Sequence, residues 1–486
     1  MTQHFDLIVR GGTLYDGTGA PGRSADVGVV GDRIAAVGDL SAATAGEVCN
    51  AAGKAVAPGF IDVHTHDDRA LLSNPDMTMK TSQGVTTVVV GNCGVSLSPL
   101  AIDRRPPPPL DLLGDQEWYR FPRMADYMAA VDAAPAAVNA ACLVGHGTLR
   151  VGAMDDLLRP ATEAEIAAMK ERLAEGLAAG AIGMSTGLFY RPANAAPTEE
   201  VIALAELLEP AGALYATHMR DEGEGVMDSL RETFRIGREA GVRAIVSHHK
   251  VIGKPNFGRS EETLALIDRT RRDQDIGLDC YPYVAASTVL DSSRLERSSR
   301  VMVTWSTKHP EVSGRDLADI AAEWGVSQVE AVDRLNPAGA IYFMMDEADV
   351  RRILSYPHTI VASDGLPHDS HPHPRLWGTF PRVLGHYARD VGLFPLAEAV
   401  RRMTSLPAER FRLTGRGTIA VGAHADITVF DPATVIDSAT FEAPATPARG
   451  IERVFVNGRA VWADGAATGN RPGRLLRRQD LQGAAA

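Results

Sequence analysis

The chain has 486 residues, 45% of them hydrophobic, enough to bury a large core as roughly two to four domains or as one barrel with accessories. Its 49 Lys+Arg against 61 Asp+Glu give a net charge of -12, which offers no basic footprint to a phosphate backbone or an anionic membrane, so nucleic acid and membrane are excluded as partners and a small-molecule substrate is expected. The opening MTQHFDLIVRGG has no basic and apolar leader, no run approaches the roughly 20 apolar residues of a span, and four cysteines (Cys49, Cys93, Cys142, Cys280) make no disulfide framework, so a cytoplasmic protein with reduced thiols is expected.

Residues 1–57 contain short alternating segments, DLIVRGG, ADVGVV and RIAAVG, parted by glycine turns, the pattern of a compact antiparallel sheet. Over 58–415 the pattern changes to continuous apolar runs followed by helical stretches. The candidate strands are FIDVHTH, VTTVVVGNC, AACLVGH, AIGMSTG, ALYATH, AIVSHH, IGLDCY and TIVASD. Runs without alternation suit strands covered on both faces, and eight strand-helix repeats suit a closed parallel barrel. After the second run, RRPPPP at Arg104–Pro109 reads as a stiff, linker-like surface loop. In TEAEIAAMKERLAEGLAAG, Thr162 and Glu165 have capping-box spacing, Ile166, Met169, Leu173 and Leu177 share one face, and Gly180 stops the helix. The long connection between the seventh and eighth runs carries SGRDLADIAAEWGVSQVEAVDRL, so 285–345 is an expected insertion over the barrel mouth. Short segments return at 416–475 (TIAVG, ADITVFD, ERVFVNG, RAVWADG) and are expected to pair with the first set, leaving 476–486 as a peripheral tail. The expected fold class is α/β: a TIM-like (β/α)8 barrel, a small β-sandwich built from both chain ends, and an inserted subdomain near the barrel mouth.

Almost every candidate strand ends in a group that binds metal or moves protons, and in a parallel barrel those ends converge on one face. His64 and His66 lie two apart, so both imidazoles point the same way and can share a cation. Cys93, in VVVGNCG, alone reads as a small buried hydrophobe, but as a thiolate it is a strong zinc ligand, and Gly94 leaves room around the sulfur. With His218 (YATH) and His248 (IVSH) it forms a Cys/His/His set that leaves a tetrahedral ion one open position. Asp364, in VASDGLPHD, is the candidate catalytic proton acceptor and later donor to a leaving amine; as a structural residue it would cap a helix.

With these residues in place, the chain resembles the amidohydrolase superfamily and, within it, the N-acyl-D-amino-acid deacylases (D-aminoacylases). The resemblance covers nearly the whole chain and is carried by APGFIDVHTHDD, TTVVVGNCG, ATHMRDEG, SHHKVIGKPNFGRS, PAGAIYFMMDE, SDGLPHDSHPHPRLWGTFPRVLG and AVGAHADITVFDPATV. It implies hydrolysis of N-acyl-D-amino acids, N-acetyl foremost. It also implies one tightly held Zn2+ on Cys93, His218 and His248 and a second, weaker position on His64, His66 and Asp364, with the cysteine able to bridge. The bridging lysine of other superfamily members has no counterpart in AIGMSTGLFY.

By the same resemblance Lys250, Tyr281, Ser287 and Arg375 take the α-carboxylate, which a guanidinium fork, an ammonium and hydroxyls fit chemically, while Phe189, Tyr342 and Met345 line the side-chain pocket. Here the insertion carries DSSRLERSSR, with Arg294, Glu296, Arg297 and Arg300 near that wall. An inward arginine selects an acidic side chain such as D-Glu; outward arginines leave a pocket for hydrophobic D-amino acids; exposure is the commoner outcome for a charge. A related cyclic amidase or dipeptidase and a non-catalytic scaffold are the competing readings.

Overall fold

The computed structural model describes residues 3–483. Eight strands, Phe60–Asp62, Val85–Val90, Asn139–Gly145, Gly183–Gly187, Leu214–His218, Ala244–Val246, Ile276–Cys280 and Thr359–Val361, hydrogen-bond in chain order and all in parallel. They are the eight apolar runs of the sequence, and every residue in them is buried, which is why the runs do not alternate. The ring closes just beyond the strand ends, where the Asp364 N–H donates to the His64 carbonyl at 2.8 Å and Thr65 bridges Gly365 in parallel. Helices cover the outside. In Glu163–Ala179 both capping-box bonds of Thr162 and Glu165 form, Met169, Leu173 and Leu177 are buried, and Gly180 turns the chain at φ 120°.

The chain ends build two sheets. One holds His4–Arg10, Asp26–Val30, Arg33–Gly38 and Thr44–Asn50; the other joins Ala55–Pro58 antiparallel to Ile427–Phe430 and continues through Ile451–Val456 and Arg459–Ala463. Between them Leu7, Val27 and Val56 from the front pack with Ile419, Ile427 and Phe455 from the back. Two expectations change. The first sheet is mixed, since His4–Arg10 pairs in parallel with Thr44–Asn50. TIAVG is not a strand: Gly422 turns it at φ 91°, so its N–H groups reach scattered carbonyls, Ile419 to Asp16 and Gly422 to Ile34.

The insertion contains the expected helices, Leu317–Trp324 and Gln328–Leu335, and also a three-stranded antiparallel sheet of Ala285–Val289, Ala338–Phe343 and Arg300–Ser306, with Ala338–Phe343 in the centre. Arg104–Pro109 is no linker: Pro109 lines the cavity at the barrel mouth, and Pro107 and Pro108 line the vestibule outside it. The residues after 475 are not peripheral either, although 484–486 lie outside the described residues. Leu476 N–H donates to the Ala140 carbonyl, and Leu476 and Leu481 pack on Ile61, Val89, Ala141 and Ile360 at the barrel floor. Leu476→Ala is therefore expected to destabilise the fold by about 2–4 kcal/mol, as buried Leu truncations do. A denaturant midpoint indistinguishable from the parent would show that the floor does not need this plug. Among the described residues no helix is long and apolar enough to cross a membrane.

Candidate metal centre and substrate cavity

The barrel delivers six donor side chains to one point. His64 and His66 follow the first strand, Cys93 the second and Asp364 the eighth; His218 ends the fifth, and His248 follows the sixth. They form two groups that share the sulfur, His64/His66/Cys93/Asp364 and Cys93/His218/His248, in each of which the donor atoms lie within 4.8 Å of one another. Cys93 Sγ is 3.2 Å from His64 Nε2 and 3.4 Å from His248 Nε2; His218 Nδ1 is 2.8 Å from His248 Nε2; Asp364 Oδ1 is 3.4 and 3.3 Å from Nε2 of His64 and His66.

Aiming these groups inward requires unusual backbone. Cys93, His248 and Asp364 adopt φ of 53°, 37° and 50° and are three of the seven non-glycine residues with left-handed backbone among those described. Such conformations cost of order 1–3 kcal/mol each and persist only where their surroundings hold them. The Asp364 N–H is fixed on His64 O, and the His248 N–H on Asp279 Oδ1 at 2.8 Å. Gly94 serves the backbone rather than the sulfur: a Cβ there would meet Gly187 N at 2.7 Å, so the glycine lets the Cys93 turn lie on the fourth strand end.

Buried polar groups brace the ligands from behind. Asn92 Nδ2 donates to Val89 O at 2.9 Å and Val63 O at 3.3 Å, stitching the first two strands. Asp279 Oδ1 lies 3.3 Å from His64 Nδ1. Lys80, fully enclosed, donates to Asp62 at 2.8 Å and Ser363 at 2.9 Å, tying the first strand to the last beneath the site. Glu222 faces Lys250 at 2.6 Å and His248 Nδ1 at 3.1 Å.

Burial opposes charge on Cys93, Asp364 and His218, and at the first two the charges around them override it. Against its own burial, the Cys93 thiol is held well below its usual range by His64 and His248. Burial likewise opposes charge on Asp364, yet Arg375 and His64 hold its carboxyl well below the ordinary value. His218 is lowered by burial and keeps its lone pair. Against their burial, Cys93 and the carboxylates beside them raise His64, His66 and His248, so these three rings give up a proton when a cation takes their lone pairs. A thiolate, neutral imidazole and a carboxylate are the donors that zinc takes, and three of them around one point leave a fourth position for water or substrate. The residues present fit that ion.

The cavity over the donors holds about 20 Å³, about one water, and Tyr190 and Arg294 separate it from a vestibule of about 1040 Å³. Lys250, Tyr281 and Ser287 line it. Arg375, 1% exposed, stacks 4.5 Å from the Tyr281 ring, donates to Ser287 O at 3.1 Å and pairs with Asp364 Oδ2 at 2.9 Å. Ser287 Oγ has no hydrogen-bond partner. Lys250 already directs its ammonium at Glu222 Oε1, His248 Nδ1 and His248 O, at 2.6, 2.7 and 3.1 Å.

The side-chain wall departs from expectation. Arg294 is buried, with its guanidinium 4.2 Å from the Phe189 ring and 5.4 Å from that of Tyr342, and its Nε and Nη2 have no hydrogen-bond partner. Arg297 and Arg300 point outward, toward Asp221 at 3.8 Å and Asp316 at 2.8 Å, each about two-fifths exposed. Phe189 lines the vestibule. Tyr342 and Met345 line neither the inner cavity nor the vestibule: the Tyr342 hydroxyl donates to Val289 O at 2.9 Å from behind Arg294, and Met345 sits beyond Tyr281, its sulfur 3.8 Å from that hydroxyl. Sequence reasoning missed Glu222, Asp279 and Tyr190. Asp279, a charge inside the apolar run IGLDC, and Glu222, four residues after His218, carried signals that could have found them.

Residues 47–255 and 277–462 match the amidohydrolase family. D-aminoacylase of Alcaligenes xylosoxydans xylosoxydans is 60% identical over 477 residues, 98% of this chain and 98% of its own. N-acyl-D-aspartate deacylase of the same organism is 52% identical over 473 residues, covering 97% and 95%. Among solved structures, N-acyl-D-glutamate deacylase from Bordetella bronchiseptica, complexed with zinc and a phosphonate inhibitor that mimics the reaction's tetrahedral intermediate, is 48% identical, spans 98% of this chain and 100% of that one, and superposes with a TM-score of 0.95.

Proposed function

The chain belongs to the amidohydrolase family, and from that premise we propose that it is a zinc-dependent deacylase that hydrolyses N-acyl-D-amino acids, N-acetyl foremost, to a D-amino acid and a carboxylate, with acidic D-amino acids preferred. The observation that carries the reaction is Cys93 at the junction of two buried donor sets with Asp364 on one side and Arg375 behind it. When bound by Cys93, His218 and His248, with His64, His66 and Asp364 as a weaker second position, zinc supplies Lewis-acid polarisation of the acyl oxygen and eases deprotonation of water. Asp364 takes the proton of the attacking water on its carboxylate and returns it to the amine as the C–N bond breaks. Arg375 fixes that carboxylate from its Oδ2 side and, with Tyr281, Ser287 and the Lys250 charge, receives the substrate α-carboxylate. With both ends of the substrate fixed, only one enantiomer can send its side chain toward Arg294.

The acidic preference rests on Arg294. A buried guanidinium with two nitrogens unpartnered is costly unless a ligand completes it, and a side-chain carboxylate is the group that does so bidentately. A second reading has one observation in its favour: Arg294 lies over two aromatic rings, so its flat face can form one wall of a pocket for Met, Leu or Phe. Turnover of N-acetyl-D-Glu, D-Asp, D-Met and D-Leu beside their L enantiomers, before and after chelation, tests all of this. We expect D-only, metal-dependent activity highest on the acidic pair. Turnover confined to the L series would sink the reaction, and a hydrophobic preference would leave the second reading standing.

A further inference from the structure

Glu222 is a buried carboxylate that belongs to neither donor set, yet it faces three basic groups. Its Oε1 lies 2.6 Å from Lys250 Nζ and 3.1 Å from His248 Nδ1, and its Oε2 lies 3.8 Å from His218 Nε2. Each of those histidines turns its other nitrogen to the cluster. His248 presents Nε2 to Cys93, and His218 presents Nδ1 to His248 Nε2. One carboxylate therefore stands behind the outer nitrogens of both rings, and the outer nitrogen of His218 has no hydrogen-bond partner at present, 3.8 Å being too long.

An imidazole can lend the lone pair of its inner nitrogen only while the proton sits on the outer one, and an acceptor behind the ring holds the proton there and fixes the ring plane. From this arrangement we infer that Glu222 is a shared positioning residue for His218 and His248, holding both in the tautomer that ligates through the inner nitrogen. In that tautomer the two carboxylate oxygens would divide between the two rings, Oε1 taking the proton of His248 Nδ1, which Lys250 Nζ engages at 2.7 Å in the present geometry, and Oε2 closing on His218 Nε2 from 3.8 Å. Lys250 supplies the countercharge that makes an ionised carboxylate tolerable in a site only 3% exposed. With His248 Nδ1 protonated, Lys250 keeps Glu222 and the His248 carbonyl as acceptors and frees one ammonium proton toward the cavity, where its third contact is now spent on that ring nitrogen. The same carboxylate thus couples the metal-binding tautomer to the availability of Lys250 for substrate.

The inference rests on zinc at Cys93, His218 and His248, and its test separates the two. Zinc affinity is measured by competition with a chromogenic chelator on the full-length protein, together with the visible spectrum of the cobalt-substituted form. Glu222→Gln is expected to bind zinc about 10–100-fold more weakly, the range for loss of an outer carboxylate partner, with an altered cobalt spectrum. Lys250→Met is expected to weaken zinc less than Glu222→Gln does, because it withdraws the countercharge but leaves the carboxylate, and to raise KM, because it also removes a partner of the substrate carboxylate. Should Glu222→Gln fail to fold, Glu222→Asp withdraws the carboxylate by one methylene at constant charge and should also loosen zinc. Zinc affinity and cobalt spectrum unchanged in the variant that folds would overturn the inference, as would full recovery of affinity in the Glu222→Gln/Lys250→Met double variant, since Glu222 would then only neutralise Lys250. If the parent protein itself bound no zinc, the functional reading would fall first.

Discussion

Asp364→Asn is expected to lower kcat by about three to four orders of magnitude, at the upper end of what one proton-transfer group contributes, while zinc remains on Cys93, His218 and His248. Asp364 Oδ1 sits 3.4 and 3.3 Å from His64 and His66 Nε2, Oδ2 sits 2.9 Å from Arg375, and the backbone N–H is anchored on His64 O, so the carboxylate cannot rotate away from the cavity. Asparagine keeps the shape, and among non-glycine residues it tolerates the φ of 50° well. It offers an amide in place of a proton acceptor. Asp364→Ala should lose as much turnover, with some added strain from that backbone. Because Cys93, His218 and His248 form a donor set that does not include Asp364, metal content at the tight position should stay near one zinc per chain. The measurement is kcat beside metal analysis of the same sample. Wild-type-like kcat in Asp364→Asn would remove this residue from the reaction, and loss of the tight zinc would show that the two donor sets are one.

Much of the barrel, and the six side chains that meet at its mouth, were legible in the sequence because both follow from periodicity, while the division of those six into two metal positions came from the family resemblance. A strand covered on two faces has to be apolar without alternation, so IVSHH and LYATH announce both the strand and the polar residue where it stops. The illegible parts depend on contacts between distant segments. Nothing local tells that Leu476 packs under a barrel strand more than 300 residues earlier, or that Pro109 reaches the cavity. The turn that aims Cys93, His248 and Asp364 uses left-handed backbone at residues other than glycine, the reverse of the usual signal. The braces behind the ligands were hidden for a different reason: Glu222 and Asp279 are ordinary acidic residues in sequence, and only their enclosure with His218, His248, His64 and Lys250 makes them part of the site. Tyr342 and Met345 failed by one layer, since a position one ring further from the cavity has the same composition as one that lines it.

In the proposed function the choice of substrate side chain turns on Arg294, and Arg294→Leu is then expected to change it more than any other single replacement. Of the three arginines of DSSRLERSSR, Arg297 and Arg300 are held outward by Asp221 and Asp316, so of these only Arg294 brings a charge to the boundary of cavity and vestibule. Its pairing with a side-chain carboxylate would be buried, bidentate and shielded by Phe189 and Tyr342. Removing one partner of such a pair costs about 3–5 kcal/mol, because the other charge is left desolvated and alone. That is about 10²–10³-fold or more in kcat/KM for N-acetyl-D-Glu at 1.4 kcal/mol per decade. A neutral side chain makes no such pair, so N-acetyl-D-Met should lose far less and the acidic-over-hydrophobic ratio should fall by at least about two decades. Arg297→Ala and Arg300→Ala should leave the ratio where it is, because their charges already have partners in solvent. The decisive quantity is the ratio measured on both substrates in all three variants. Equal losses on both substrates in Arg294→Leu would mean that the guanidinium is a wall of the pocket, held by its two rings, and takes no part in choosing the charge of the side chain.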